Sequence, residues 1–135
     1  MIGVLLITHG RYGEDLLASA SHILGKPLER VAHIAVGGQD DPETVLERAR
    51  ALLPQIDEGS GVLVLTDIFG ATPCNVVTRL FDAGRVEGVS GVSLPMLVRV
   101  LAYRDAPLAT VLAKALSGGI EGIVDINRDP CYAKR

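Results

Sequence analysis

The chain has 135 residues and a formal net charge of -3, from 13 basic and 16 acidic side chains. That length suits one domain with a proper core, and no basic cluster is long enough to follow a phosphate backbone, which argues against nucleic-acid binding. Hydrophobic residues make up 48% of the chain and aromatic ones only 4%, so Val, Ile, Leu and Ala must build the core, a composition suited to parallel strands buried between helices.

Strand one is expected over Ile2 to Thr8, a continuous apolar run followed at once by His9 and Gly10. A helix follows from about Gly13 to Leu24, with Leu16, Leu17, Ala20, Ile23 and Leu24 at helical spacing and Gly25 and Pro27 to stop it. Val31 to Val36 reads as strand two, ended by the plain turn Gly37-Gly38. Asp41 can cap the next helix with Pro42 at its first position, and Val45, Leu46, Ala49, Leu52 and Leu53 form its buried stripe. Gly61 to Thr66 is strand three, with Asp67 at its carboxyl end. After the turn Ile68-Phe69-Gly70-Ala71-Thr72, a helix is predicted from Pro73 to about Ala83. Val89 to Ser93 is expected to be a short fourth strand, and Pro95 to open a helix through Tyr103. Pro107 opens another through Leu116, closed by Gly118-Gly119, and Ile120 to Ile126 reads as a last short strand before a polar tail from Asn127. Strands alternating with helices predict an α/β fold: an open, mostly parallel sheet of four strands covered by helices on both faces.

In such sheets, sites form at the carboxyl ends of strands near the topological switch point. His9 and Asp67 fall at such ends, each followed by a glycine-containing turn and a helix start. Helix amino termini offer unpaired N–H groups to a bound phosphate. Gly10, Gly70, Ala71 and Thr72 are therefore the candidate phosphate-binding residues, with Thr72 adding a hydroxyl. A neutral imidazole carries one lone-pair nitrogen able to attack phosphorus. A carboxylate bonded to the other ring nitrogen fixes the tautomer and stabilises positive charge on the ring. By pattern alone, His9 and Asp67 fit a structural hydrogen bond as well as they fit catalysis.

Three segments taken together are more specific: Thr8-His9-Gly10, Leu65-Thr66-Asp67-Ile68-Phe69-Gly70-Ala71-Thr72-Pro73, and Gly91-Val92-Ser93-Leu94-Pro95-Met96. In this order they resemble the signatures of the IIA component of the mannose/fructose/sorbose class of the bacterial phosphoenolpyruvate:sugar phosphotransferase system. The resemblance runs from Met1 to about Asn127. It implies one IIA domain over 1–127, a flexible tail over 128–135, and a short antiparallel strand, Gly122 to Ile126 here, swapped between the subunits of a homodimer. It also implies that His9 is phosphorylated by the phosphocarrier protein HPr, is held by Asp67, and passes the group to a separate IIB component, with no cofactor and no metal. Contact with a membrane would be indirect, through a permease. The chain departs from the family where Gly70-Ala71-Thr72-Pro73 replaces Gly-Gly-Ser-Pro and where Ser93-Leu94-Pro95-Met96 replaces Asn-hydrophobic-Pro-Met. Ser93, Pro95 and Met96 are thus candidates for supporting the loops or contacting a partner, as is Arg11. Two related functions compete: the phosphoryl-donor subunit of a dihydroxyacetone kinase, and a regulatory binding domain of the same fold without chemistry.

Plainer readings cover the remaining candidates. His22 and His33 are expected at the surface, Cys74 as a small packing residue, and Cys131 as inert in the tail. The two cysteines form no spaced framework, as in proteins of a reducing compartment. Asp40, Asp41 and Glu43 read as helix capping and first-turn charge rather than a metal site. The apolar run Ile2 to Ile7 lacks a preceding basic stretch and is too short for a signal sequence, so a soluble cytoplasmic protein is expected.

Overall fold

The first apolar run forms β1 (Gly3–His9), buried along its length until His9 reaches the surface. A computed structural model describes residues 1–70 and 72–129. After β1 come α1 (Tyr12–Leu24), β2 (Val31–Val36), α2 (Pro42–Ile56), β3 (Val62–Thr66), α3 (Thr72–Leu80), β4 (Val86–Val89), α4 (Leu94–Ala102) and α5 (Leu108–Glu121). The four strands pair in the order β2-β1-β3-β4, all parallel. Because β1 is paired on both sides and buried on both faces, its alternate residues enter two separate cores. Val4 and Leu6 pack with α1, α4 and α5; Leu5 and Ile7 pack with α2 and α3. The result is three layers, as the continuous apolar strands predicted.

The local signals explain the best-defined ends. Asp41 does cap α2, accepting from the Glu43 N–H at 3.3 Å, and Asp40 accepts from the Gly37 N–H at 2.6 Å, so these acidic residues hold the chain together locally. At the other end of the sheet, the buried Arg104 guanidinium donates to the carbonyls of Ile2, Glu29 and Arg30, joining the α4–α5 connection to the starts of β1 and β2.

Four expectations need correction. The fourth strand is Val86–Val89 rather than Val89 to Ser93, because Val86 to Val89 pair with Val62 to Leu65. The segment after it turns at Gly91, whose φ of 80° leaves the strand region, and is tied to β3 by Gly91 N–H and Val92 N–H. The helix after Pro73 ends earlier, at Leu80. Most informative is α5, which runs straight through Gly118-Gly119 to Glu121. These glycines are contact points rather than stops. A Cβ on Gly118 would lie 3.0 Å from Arg99 Cβ, one on Gly119 would lie 2.8 Å from Met96 Cε, and one on Gly122 would lie 2.5 Å from Pro95 Cβ. The missing side chains let α5 approach α4 closely, and packing of that kind offsets the intrinsic helix cost of glycine, about 1 kcal/mol each. Residues 123–129 form no strand within this chain. The tail from residue 130, including Cys131, lies outside the described residues.

Candidate active site

The sheet order places the reversal of strand order between β1 and β3, since β2 was added on one side of β1 and β3 on the other. His9 ends β1 and Asp67 follows β3 directly, so both emerge at that crevice. The Asp67 carboxylate accepts from the His9 backbone N–H at 2.9 Å and from the Ile68 N–H at 2.9 Å. His9 Nδ1 lies 3.0 and 3.2 Å from its two oxygens. Burial opposes ionisation of Asp67, but hydrogen bonds from the His9 backbone, the His9 ring and Ile68 outweigh it and hold the carboxyl below its ordinary value. An ionised carboxylate only accepts, so the proton between the two side chains belongs to Nδ1. That tautomer leaves the lone pair on Nε2. The His9 side chain is 47% exposed, whereas that of Asp67 is 12% exposed. The imidazole faces outward and the carboxylate sits beneath it.

The turns around the pair are braced individually. Thr8 Oγ1 accepts from the Gly13 N–H at 2.8 Å, fixing the start of α1 to the end of β1. Gly10 and Gly70 have φ of 51° and 84°, a region costly for other residues, so each lets its strand turn sharply into the following segment. α3 begins at Thr72, five residues after Asp67, and its first N–H groups open at the same end of the sheet. The Ala71 position lies outside the described residues. A third loop joins the site: Gly91 N–H donates to Asp67 O at 3.0 Å, Val92 N–H to Thr66 O at 2.9 Å, and the Tyr12 hydroxyl to Val92 O at 2.7 Å.

The other sequence candidates divide. Arg11 is exposed and lies within 3.8 and 4.0 Å of Glu14 and Asp15 on its own helix, directed along α1 rather than at His9. Ser93 caps α4, accepting from Met96 N–H at 3.4 Å. Met96 is buried against α5, and Pro95 lies against Gly122, so both support the α4–α5 contact rather than touching His9. His22 and His33 are exposed, and Cys74 is a buried free thiol. Tyr12 was missed, because nothing in the sequence signals a bond to a residue 80 positions away. Among the described residues, no group of three or more His, Cys, Asp and Glu is placed to hold a metal ion.

Residues 3–116 match the family described as "PTS system fructose IIA component". The chain belongs to that IIA family. It is 34% identical over 132 residues to the mannose-specific EIIAB component of the phosphotransferase system from Escherichia coli, an alignment covering 96% of this chain and 41% of that protein. The IIA chain thus spans about two fifths of that relative's length. It is 33% identical over 106 residues to the fructose-specific EIIA component of Bacillus subtilis, covering 78% of this chain and 72% of that one. The solved EIIA component from Streptococcus agalactiae matches with a TM-score of 0.82 at 27% identity, covering 93% of this chain and 97% of that one. The mannose/sorbose-specific IIA subunit from Enterococcus faecalis matches equally well, with a TM-score of 0.82 at 25% identity, covering 93% and 94%. Among the described residues, no IIA helix is long and apolar enough to cross a membrane.

Proposed function

We propose that this chain, as one IIA domain over residues 1–127, carries phosphate in the phosphoenolpyruvate:sugar phosphotransferase system, accepting it from phospho-HPr at Nε2 of His9 and passing it to a IIB component. The observation that carries this reading is the orientation of the His9–Asp67 pair, in which Nδ1 is held by a carboxylate and Nε2 is left for the phosphoryl group. The Nε2 lone pair forms the N–P bond as the donor's bond to phosphorus breaks, and that bonding pair stays with the donor. The proton on Nδ1 remains, and the positive charge gained by the ring is balanced by Asp67. The first-turn N–H groups of α3 are suited to the phosphoryl oxygens, whereas the Gly10 N–H already donates to Val36 O at 3.1 Å. The test is direct: phosphoenolpyruvate, enzyme I and HPr are expected to add one acid-labile phosphate per chain, and no incorporation would overturn the reading.

Transfer between proteins requires the donor atom to reach His9, so whatever surrounds His9 becomes interface. Phe69 is 80% exposed and Ile68 is also exposed, both within two residues of Asp67. Leaving a large apolar side chain in water forgoes roughly 1.5–3 kcal/mol of burial, which makes exposure of both beside a reactive group a mark of a contact surface. Phe69→Ala is expected to raise the KM for phospho-HPr about tenfold with the maximal rate little changed. An unchanged KM would remove Phe69 from the interface.

The exposed side chains of Ile120, Ile123, Val124 and Ile126 suit a segment that pairs with a second copy. β4 is an edge strand, bridged to Asp82 at Val86 and otherwise without a second strand beside it among the described residues, and exchange of identical segments would satisfy both edges at once. Truncation after Gly122, which leaves α5 whole, is expected to give an aggregating or poorly folded monomer by light scattering. Truncation after Asn127 is expected to change little. A soluble, folded dimer from the shorter protein would rule out strand exchange.

A further inference from the structure

We propose that Tyr12 is a positioning residue for transfer at His9, acting through a closed ring of hydrogen bonds around the site. The inference rests on the phosphoryl-carrier reading of His9. Tyr12 is the first residue of α1, three residues beyond His9. Its hydroxyl donates to Val92 O at 2.7 Å. Val92 is itself anchored, because its N–H donates to Thr66 O and the preceding Gly91 N–H donates to Asp67 O. Asp67 in turn receives the His9 backbone N–H and faces the His9 ring. The ring therefore passes from His9 to Asp67, through main chain to Gly91 and Val92, across to Tyr12, and back along Arg11 and Gly10. Thr8 Oγ1 to Gly13 N–H locks the base of that last arc.

Without Tyr12, the 91–92 loop would be tied to the His9 side of the site by hydrogen bonds only from β3 and its end, through Thr66 and Asp67. The hydroxyl adds a second, independent tie, so the His9 backbone cannot shift relative to Asp67 without stretching a bond on the opposite side. In-line attack on phosphorus tolerates little misplacement of the nucleophile. A simple covering role for Tyr12 would need only its ring, which Phe supplies equally well.

Tyr12→Phe separates the two. The expected result is a maximal rate of transfer from phospho-HPr reduced about fivefold, the worth of one neutral hydrogen bond. The KM for phospho-HPr should stay within about twofold and the thermal midpoint should fall by no more than about 5 °C, what the loss of one such bond costs a domain of this size. In the unphosphorylated protein, the Gly91 and Val92 amides should exchange with solvent about fivefold faster. An unchanged rate overturns the proposal, as does a raised KM at unchanged rate, which would make Tyr12 a partner contact. A rate loss matched by a large fall in thermal midpoint also overturns it, as a general loss of stability. Should the wild-type protein take no phosphate, the carrier reading fails. Amide exchange then judges the tie alone: faster exchange in Tyr12→Phe supports it, and unchanged exchange overturns it.

Discussion

Replacing His9 with alanine is expected to abolish phosphorylation altogether. His9 combines an exposed ring with a carboxylate on Nδ1. His22 lies near the end of α1 and His33 on β2, both exposed and neither hydrogen-bonded to a carboxylate among the described residues. Wild-type protein incubated with phosphoenolpyruvate, enzyme I and HPr should carry one acid-labile phosphate, His9→Ala none, and His22→Ala and His33→Ala the wild-type amount. His9 sits at a strand end outside both cores, so its truncation should leave the fold intact, which circular dichroism can check. Phosphorus NMR should place the group on Nε2. Full labelling of His9→Ala would refute the assignment, and a product phosphorylated on Nδ1 would contradict the tautomer deduced from Asp67.

Asp67→Asn is expected to slow transfer on the order of 10²-fold or more, by analogy with carboxylates that orient a catalytic imidazole. The amide can favour the other tautomer, which would turn the lone pair inward, and it carries no charge to balance the imidazolium. Stability should fall as well. The carboxylate oxygens accept two backbone N–H groups, from His9 and Ile68, whereas an amide has one oxygen, and its NH₂ would face a donor. That mismatch costs about 1–3 kcal/mol near neutral pH. The pH dependence follows from the depressed Asp67 pKa, in which hydrogen bonds overcome the opposing effect of burial. The carboxylate's contribution is complete above the unfolded value of about 4 and is lost as pH falls through the lower folded value. Urea unfolding at pH 7 and pH 3 should therefore show the gap between wild type and Asp67→Asn narrowing in acid. A constant gap would mean that charge is not its source, and transfer rates within about twofold of wild type would make Asp67 purely structural.

Both residues of the pair were legible in the sequence because strand ends are. A run such as Val4 to Ile7 has no polar residue to interrupt burial, so its termination marks where the chain leaves the sheet, and His9 stands there. The same reasoning located Asp67 after Val62 to Thr66 and the start of α2 after its Asp41 cap. β4 was less legible. Its segment holds Glu87 and Gly88, and β pairing depends on a partner strand that a local pattern does not contain.

What the sequence by itself determined were properties set within a few residues: apolar strands, the capped start of α2, and the placing of His9 and Asp67 at strand ends. Only the tertiary structure decided what depends on distant partners. Gly118 and Gly119 look like helix breakers in isolation, since glycine has maximal backbone freedom to lose. Inside the fold they continue α5, because Met96 and Arg99 occupy the space where their side chains would be. Arg11 and Tyr12 are neighbours at the start of α1, yet Arg11 turns along its own helix while Tyr12 reaches Val92. No local rule separates the two, because the Val92 carbonyl arrives there only after β3 has been laid beside β1 and β4 beside β3.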